Sequence, residues 1–278
     1  MSTVRNILRN SGIRPSKRLG QLFLEDKNII SKIIMAADIR EDDVVVEIGA
    51  GLGTMTQLLA EKAKRVIAID VDPRMIVVLQ QRLPDWPNVD VIEKDILSYD
   101  FAALADSASV KLKVIGNIPY NISSQILFHI IKYRHVISSA VLLFQKEVVD
   151  RITAFPGTKD YGIPSVIVSM YAVASREMNI PASCFYPEPK VTSSLVKILI
   201  RKSPLVRLED EDCFLKTVKI AFSKRRKTIL NNLRSAYSFN GVTTLLDQLG
   251  IDGSRRGETL STEEFGRLSN ALYPLSNV

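Results

Sequence analysis

Val44-Val-Val-Glu-Ile-Gly-Ala-Gly-Leu-Gly53 is the stretch from which the fold follows. Residues 44–48 form a short β-rich run, and Gly49, Gly51 and Gly53 crowd in directly behind it. Glycines there let the backbone turn sharply and let a ligand approach closely. A helical stretch follows from Thr54 to Lys64, with Leu58, Leu59 and Ala63 as its apolar face. The spacing is G-x-G-x-G, with Thr54 where the last glycine of the G-x-G-x-x-G dinucleotide fingerprint would stand. The strand–turn–helix context favours ligand binding over a merely structural turn.

The pattern then repeats outward. Arg65-Val-Ile-Ala-Ile-Asp70 reads as a second strand, and Pro73 opens a helix running to Leu83. Val89–Glu93, Lys113–Gly116 and Ala140–Phe144 read as third, fourth and fifth strands. Strands alternating with helices predict an α/β fold, a parallel sheet covered on both faces in the Rossmann-like manner. Residues 145–180 are mixed, with Val166–Tyr171 either a strand or a buried helix, and Ser193–Ile200 reads as a last strand. Ser203 and Pro204 mark a break. After it Phe214, Leu215, Val218, Phe222, Ile229, Leu230 and Leu233 recur at helical spacing. Ser261 or Thr262 can cap a final helix, with Glu264 placed for a capping box. The expected organisation is an α/β domain over 1–202 and a small all-helical domain over 203–278.

Composition excludes several classes. The 278 residues are 46% hydrophobic and 24% charged, which rules out a disordered or collagen-like chain. Two cysteines, Cys184 and Cys213, make no disulfide framework or cysteine-based zinc cluster. Two histidines, His129 and His135, argue against a histidine-rich metal site and read as packing or surface residues. Trp86, between Pro84 and Pro87, reads as a loop plug. No apolar run approaches a membrane span, and no signal-peptide core opens the chain, so the cytoplasm is the expected compartment. The net charge of +7 is uneven: +5 over residues 1–40, −6 over 41–100, +3 over 101–180 and +5 over 181–278. Basic ends suit a polyanion, although a solvated basic surface gives the same balance.

Two acids follow the glycine loop at carboxyl ends of strands, where open α/β sheets bind ligands. Asp70 can accept from both hydroxyls of a ribose. Asp95 can accept from an adenine amino group, or cap the following turn. Asn117-Ile-Pro-Tyr120 follows the fourth strand. Pro119 stiffens that turn. The Asn117 amide oxygen and neighbouring carbonyls could bind an exocyclic amino group and orient its lone pair, while Tyr120 offers a flat face to a base.

Asn117-Ile-Pro-Tyr120 resembles the (Asn/Asp)-Pro-Pro-(Tyr/Phe) motif of methyltransferases acting on amino nitrogens. With Lys17-Arg-Leu-Gly-Gln-Leu-Phe-Leu24 before it and Gln145-Lys-Glu-Val-Val149 ahead of the Tyr161-Gly162 region, the chain is similar to the rRNA adenine dimethyltransferase family. Phe185-Tyr-Pro-Glu-Pro-Lys-Val191 and Ala221-Phe-Ser-Lys-Arg-Arg-Lys-Thr228 resemble its small-subunit branch. The likeness runs from Lys17 to the C-terminal helices. The large-subunit branch usually has Lys after the second loop glycine, where this chain has Leu52, and lacks the Ala-Phe-x-x-Arg-Arg-Lys-Thr signature.

The resemblance implies dimethylation at N6 of two adjacent adenines in the 3′-terminal hairpin of 16S rRNA, within immature small subunits. It implies S-adenosylmethionine as donor and no metal; nothing in the sequence argues for an obligate dimer, so a monomer is expected. Leu22, Leu24, Gly49 and Gly51 would line the donor site, Asp70 would hold its ribose and Asp95 its adenine. Asn117 and the Ile118 carbonyl, stiffened by Pro119, would accept from the target N6, with the flipped base between Tyr120 and Phe185. The run Lys224-Arg-Arg-Lys227, read as interrupting the first C-terminal helix, would contact phosphate; Arg255, Arg256, Arg14, Lys17 and Arg18 are secondary candidates. The chain departs from the family at Leu22, where Asn or His is usual and where only backbone contact is left. It departs also at Glu188, where Pro is usual. Competing expectations are a large-subunit rRNA dimethyltransferase, an RNA-binding assembly factor, and an NAD-dependent oxidoreductase suggested by the glycine loop and Asp70 alone.

Overall fold

All five residues of Val44–Ile48 are buried, as a strand covered on both faces requires. The structure is a computed structural model that describes residues 4–108, 110–237 and 241–275. Its strands are β1 (Phe23–Leu24), β2 (Val44–Ile48), β3 (Arg65–Asp70), β4 (Val89–Glu93), β5 (Leu112–Asn117), β6 (Ile137–Gln145), β7 (Ala172–Ile180), β8 (Phe185–Tyr186) and β9 (Ser193–Ile200). Seven of them form one sheet in the order β4-β3-β2-β5-β6-β9-β7. From β4 to β6 the neighbours are parallel, and β9 runs antiparallel to β6. The chain leaves β2 in one direction to build β3 and β4, then returns to the other side of β2 with β5 and β6. The switch lies between β2 and β5, whose carboxyl ends carry the glycine loop and Asn117. β1 and β8 pair separately, Phe23 opposite Tyr186 and Leu24 opposite Phe185.

Helices Thr54–Ala60, Pro73–Arg82, Phe101–Ala108 and Ser123–Lys132 are the crossovers between parallel strands. The first is shorter than the periodicity predicts, because Asp43 O captures the N–H groups of Lys64 and Arg65 at 3.0 and 3.3 Å and starts β3. Val45, Leu59, Val66, Ile115, Val141 and Leu195 meet in one apolar cluster with Ile30, Ile33 and Ile34 of helix Lys27–Ala37.

Met1–Val149 with Ser175–Ile200 is one compact unit, and Asp150–Ala174 with Arg201–Val278 is the other. The second unit thus takes in 150–174, which a boundary at Ser203–Pro204 would place with the sheet. The reason is helix Ile163–Tyr171, whose Val166, Ile167, Val168, Met170 and Tyr171 are all buried. It packs against helices Glu211–Ala221 and Thr262–Leu272, with the Tyr171 ring edge-on to Phe214 at 6.3 Å. Phe214, Val218, Phe265, Leu268 and Leu272 complete that core.

The expectation that Lys224–Lys227 sits within a helix is corrected. Helix Glu211–Ala221 ends before it, and Thr228 caps a new helix, Ile229–Arg234, by accepting from Asn231 N–H. The four basic residues lie in the turn between, all exposed. Among the described residues no helix is long and apolar enough to cross a membrane.

Helix Thr262–Leu272 begins with a complete capping box: Ser261 Oγ accepts from Glu264 N–H at 3.1 Å, and Glu264 Oε2 accepts from Ser261 N–H at 2.7 Å. Ser261→Ala removes half of it. The expected loss is about 1 kcal/mol of unfolding free energy, seen as a lower urea midpoint at unchanged slope.

Candidate active site

The cleft at the switch point is built from backbone turns. Gly49 and Gly51 take φ of +70° and +55°, a region that residues with a Cβ adopt only under strain. A Cβ would also find neighbours close by. A Cβ on Gly51 would lie 3.2 Å from the Phe23 ring, and one on Gly49 would lie 3.4 Å from Asn117 O. Ile69 O accepts from the N–H groups of Gly49 and Ala50, at 2.9 and 3.1 Å. The Asp70 carboxylate takes the next, with Oδ2 2.8 Å from Gly51 N and Oδ1 2.9 Å from Asp72 N. Burial pushes the Asp70 carboxyl above its ordinary range, opposed by the hydrogen bonds from Asp72 and Gly51.

Asp72 caps helix Pro73–Arg82, pairs with Arg74 at 2.6 Å, and accepts from Gln21 Nε2 at 2.8 Å. The Arg74 contacts, ahead of burial, hold its carboxyl below the usual range. The Gln21 bond fastens the N-terminal strap to the end of β3. A second tie lies one residue on: Asn117 Nδ2 donates to Leu22 O at 2.6 Å. This bond uses the nitrogen end of the amide, so Oδ1 is the end that remains to accept. The Ile118 side chain is buried beneath the turn, and its N–H donates to Leu143 O at 3.1 Å.

Leu22, Leu24, Gly49, Gly51, Asp70, Asp95, Asn117, Ile118 and Pro119 all line this one cavity. Asp95 Oδ1 caps the following turn through Leu97 N–H at 2.9 Å, and the residue borders the cavity. Tyr120 lies beside the lining. Its hydroxyl sits 2.7 Å from Ser193 Oγ, which anchors the far end of the ring. Half-burial raises its phenol pKa, countered by that bond.

Phe185 does not have the open face expected of it. Its side chain is 2% exposed, packed in the apolar cluster with Leu24 and Ile30, because the β1–β8 pairing turns it inward.

The model of the ribosomal RNA adenine dimethylase family matches residues 13–273. The chain belongs to that family. The ribosomal RNA small subunit methyltransferase A of Syntrophus aciditrophicus is 50% identical, over 98% of this chain and 99% of its own. Among solved structures, a dimethyladenosine transferase from Plasmodium falciparum is 30% identical with a TM-score of 0.78, covering 92% of this chain and 98% of its own. The 23S rRNA methyltransferase ErmE is 26% identical with a TM-score of 0.70, covering 90% and 99%. The sheet with its helical companion is therefore the Rossmann-like methyltransferase fold of this family.

Of the four exposed basic residues Lys224–Lys227, Arg225 is committed, its Nε 3.2 Å from Glu258 Oε2. Among the described residues the other three are in no ion pair. Arg255 is likewise engaged, by Glu264 at 2.5 Å, whereas Arg256, Arg14, Lys17 and Arg18 are exposed. Neither Cys184 nor Cys213 is in a disulfide, and Cys213 Sγ donates to Ser269 O at 3.4 Å. His129 packs among Phe101 and Tyr133, its Nε2 3.1 Å from Tyr99 O. No group of three or more His, Cys, Asp or Glu placed to hold a metal ion occurs among the described residues.

Glu47 is a functional candidate that no motif marks. It is 1% exposed, borders the cavity, and accepts from Thr56 Oγ1 at 2.6 Å. The signal was present: a carboxylate inside an otherwise apolar buried strand. Burial pushes its pKa from 4.5 up to about 8; the Thr56 bond opposes this and the Asp70 charge adds to it. A carboxyl raised in the folded state binds more protons there than in the unfolded chain. Stability is therefore full below 4.5 and falls as pH rises through the window up to about 8. Glu47→Gln should remove this dependence. Across that window its melting temperature should gain steadily on the wild type, by calorimetry at matched ionic strength.

Proposed function

We propose that this chain transfers methyl groups from S-adenosylmethionine to N6 of two adjacent adenines in the 3′-terminal hairpin of 16S rRNA, giving dimethyladenines during small-subunit maturation. Family membership and the small-subunit relative support the reaction class and the RNA. The observation that carries the mechanism is the Asn117–Leu22 bond, because it fixes which end of the amide is left for a substrate.

The cleft residues fit the donor. The space that a Cβ on Gly49 would fill is left beside the Asn117 carbonyl, and carboxylates stand at the ends of β3 and β4. Leu22, Leu24, Gly49 and Gly51 would line its methionine end, Asp70 its ribose and Asp95 its adenine. The donor supplies a sulfonium-bound methyl. Asn117 Oδ1 and the Ile118 carbonyl would accept the two N6 hydrogens and hold the nitrogen lone pair toward that methyl. Tyr120, its hydroxyl tethered to Ser193, would meet one face of the flipped base. Such positioning supplies most of the rate in a transfer that needs no prior deprotonation. The acceptor carbonyls also stabilise the amine as it becomes cationic. The exposed Lys224, Arg226 and Lys227 would contact phosphates, making binding salt-dependent. We take the working form to be a cytoplasmic monomer without a metal.

The alternatives act on large-subunit RNA, or hold RNA without chemistry. Purified protein should transfer labelled methyl groups to immature small-subunit particles. Asn117→Ala should lower kcat about 100-fold or more with near-normal particle binding. Asn117→Asp retains an oxygen but cannot donate to Leu22, so it should also be impaired. Methyl transfer confined to large-subunit RNA would sink the proposal.

A further inference from the structure

Phe155 is 75% exposed, yet the loop that carries it is firmly held within the helical unit. Phe155 O accepts from Thr158 twice, from its N–H at 3.2 Å and its Oγ1 at 2.7 Å. Gly157 takes φ of +81° and donates its N–H to Glu258 O at 2.8 Å. Tyr161 ends the loop with a buried phenol that donates to Leu260 O at 2.9 Å. Arg225 closes the arrangement: Nη2 donates to Lys159 O while Nε pairs with Glu258. The guanidinium therefore joins the aromatic loop to the basic turn Lys224–Lys227.

A large apolar ring left in water on a pinned turn forgoes the stabilisation that burial gives. Here it shares one junction with Lys224, Arg226 and Lys227, all exposed and, among the described residues, in no ion pair, and with exposed Lys159. Flat apolar surface beside positive charge matches a polyanion that also carries flat apolar faces, which is single-stranded RNA. Charge complementarity favours RNA over a protein partner, because a polar protein surface offers no regular row of anions.

We propose that Phe155 is a stacking platform for an unpaired base of the RNA whose phosphates the Lys224–Lys227 turn contacts. The proposal rests on the RNA-binding reading of that turn and adds a contact that reads strand state rather than charge. The ring stays exposed until the base arrives, so no side chain must be displaced. Arg225 sets the spacing between platform and phosphate contacts.

The test measures affinity of the full chain for immature small-subunit particles over a series of salt concentrations. Phe155→Ala should weaken binding roughly tenfold at every salt, leaving the slope of log K against log salt unchanged. Phe155→Leu should behave like the alanine variant, and Phe155→Trp should bind like the wild type. Because the ring is exposed, all three should melt with the wild type. Lys224→Gln and Lys227→Gln should each weaken binding and reduce the slope by about one. Wild-type affinity in Phe155→Ala, with the lysine variants weakened, overturns the platform while the RNA reading stands. Wild-type affinity in Phe155→Leu alone points to an apolar protein contact and also overturns it. Unchanged affinity in both lysine variants overturns the platform together with the RNA reading of the turn.

Discussion

Two backbone N–H groups converge on the Asp70 carboxylate, and the geometry of the cleft depends on that convergence. The donor from Gly51 holds the glycine turn over the end of β3. The donor from Asp72 starts the next helix. A buried carboxylate without such donors would be too costly to keep charged. Asp72 solves the same problem through Arg74 and Gln21, whereas Glu47, with only the Thr56 bond, has its pKa pushed up to about 8. The acidity of residues 41–100 is thus partly structural. Several of its charges position the turns that line the cavity.

The second constraint is the strap. Gln21 ties it to Asp72, and Leu22 O receives the Asn117 amide nitrogen. Leu22 thus holds Asn117 through its backbone carbonyl, which needs no polar side chain. Phe185 belongs to the same arrangement from below. Enclosed beside Leu24, it supports the short β1–β8 pair, while Tyr120 keeps its place by way of Ser193.

Strands β2, β3 and β9, interior to the sheet, were legible at their full bounds as unbroken β-rich runs, and β4, at one edge, was legible because Val89, Val91 and Ile92 keep its β-rich character. β7 was missed for the opposite reason. It lies at the end of the sheet order and exposes Arg176, Glu177 and their neighbours, so it carries no apolar rhythm. Helix Ile163–Tyr171 read as strand or helix because a segment apolar on all sides has no period to report. The basic run looked like an interruption of one helix because the apolar spacing resumes beyond it. Capping by Thr228 divides the two helices instead.

Residue type and spacing by themselves determined the alternation of strands and helices, the glycine turn, the strand-end acids and the Asn-Ile-Pro-Tyr turn, all of which are local signals. Only the tertiary structure decided that Asp70 serves Gly51, that Asn117 donates to a carbonyl 95 residues away, that Phe185 is covered and that Phe155 is not. Hydrogen-bond partners and burial are set by segments distant in the chain, and no window of sequence contains both sides of such a contact.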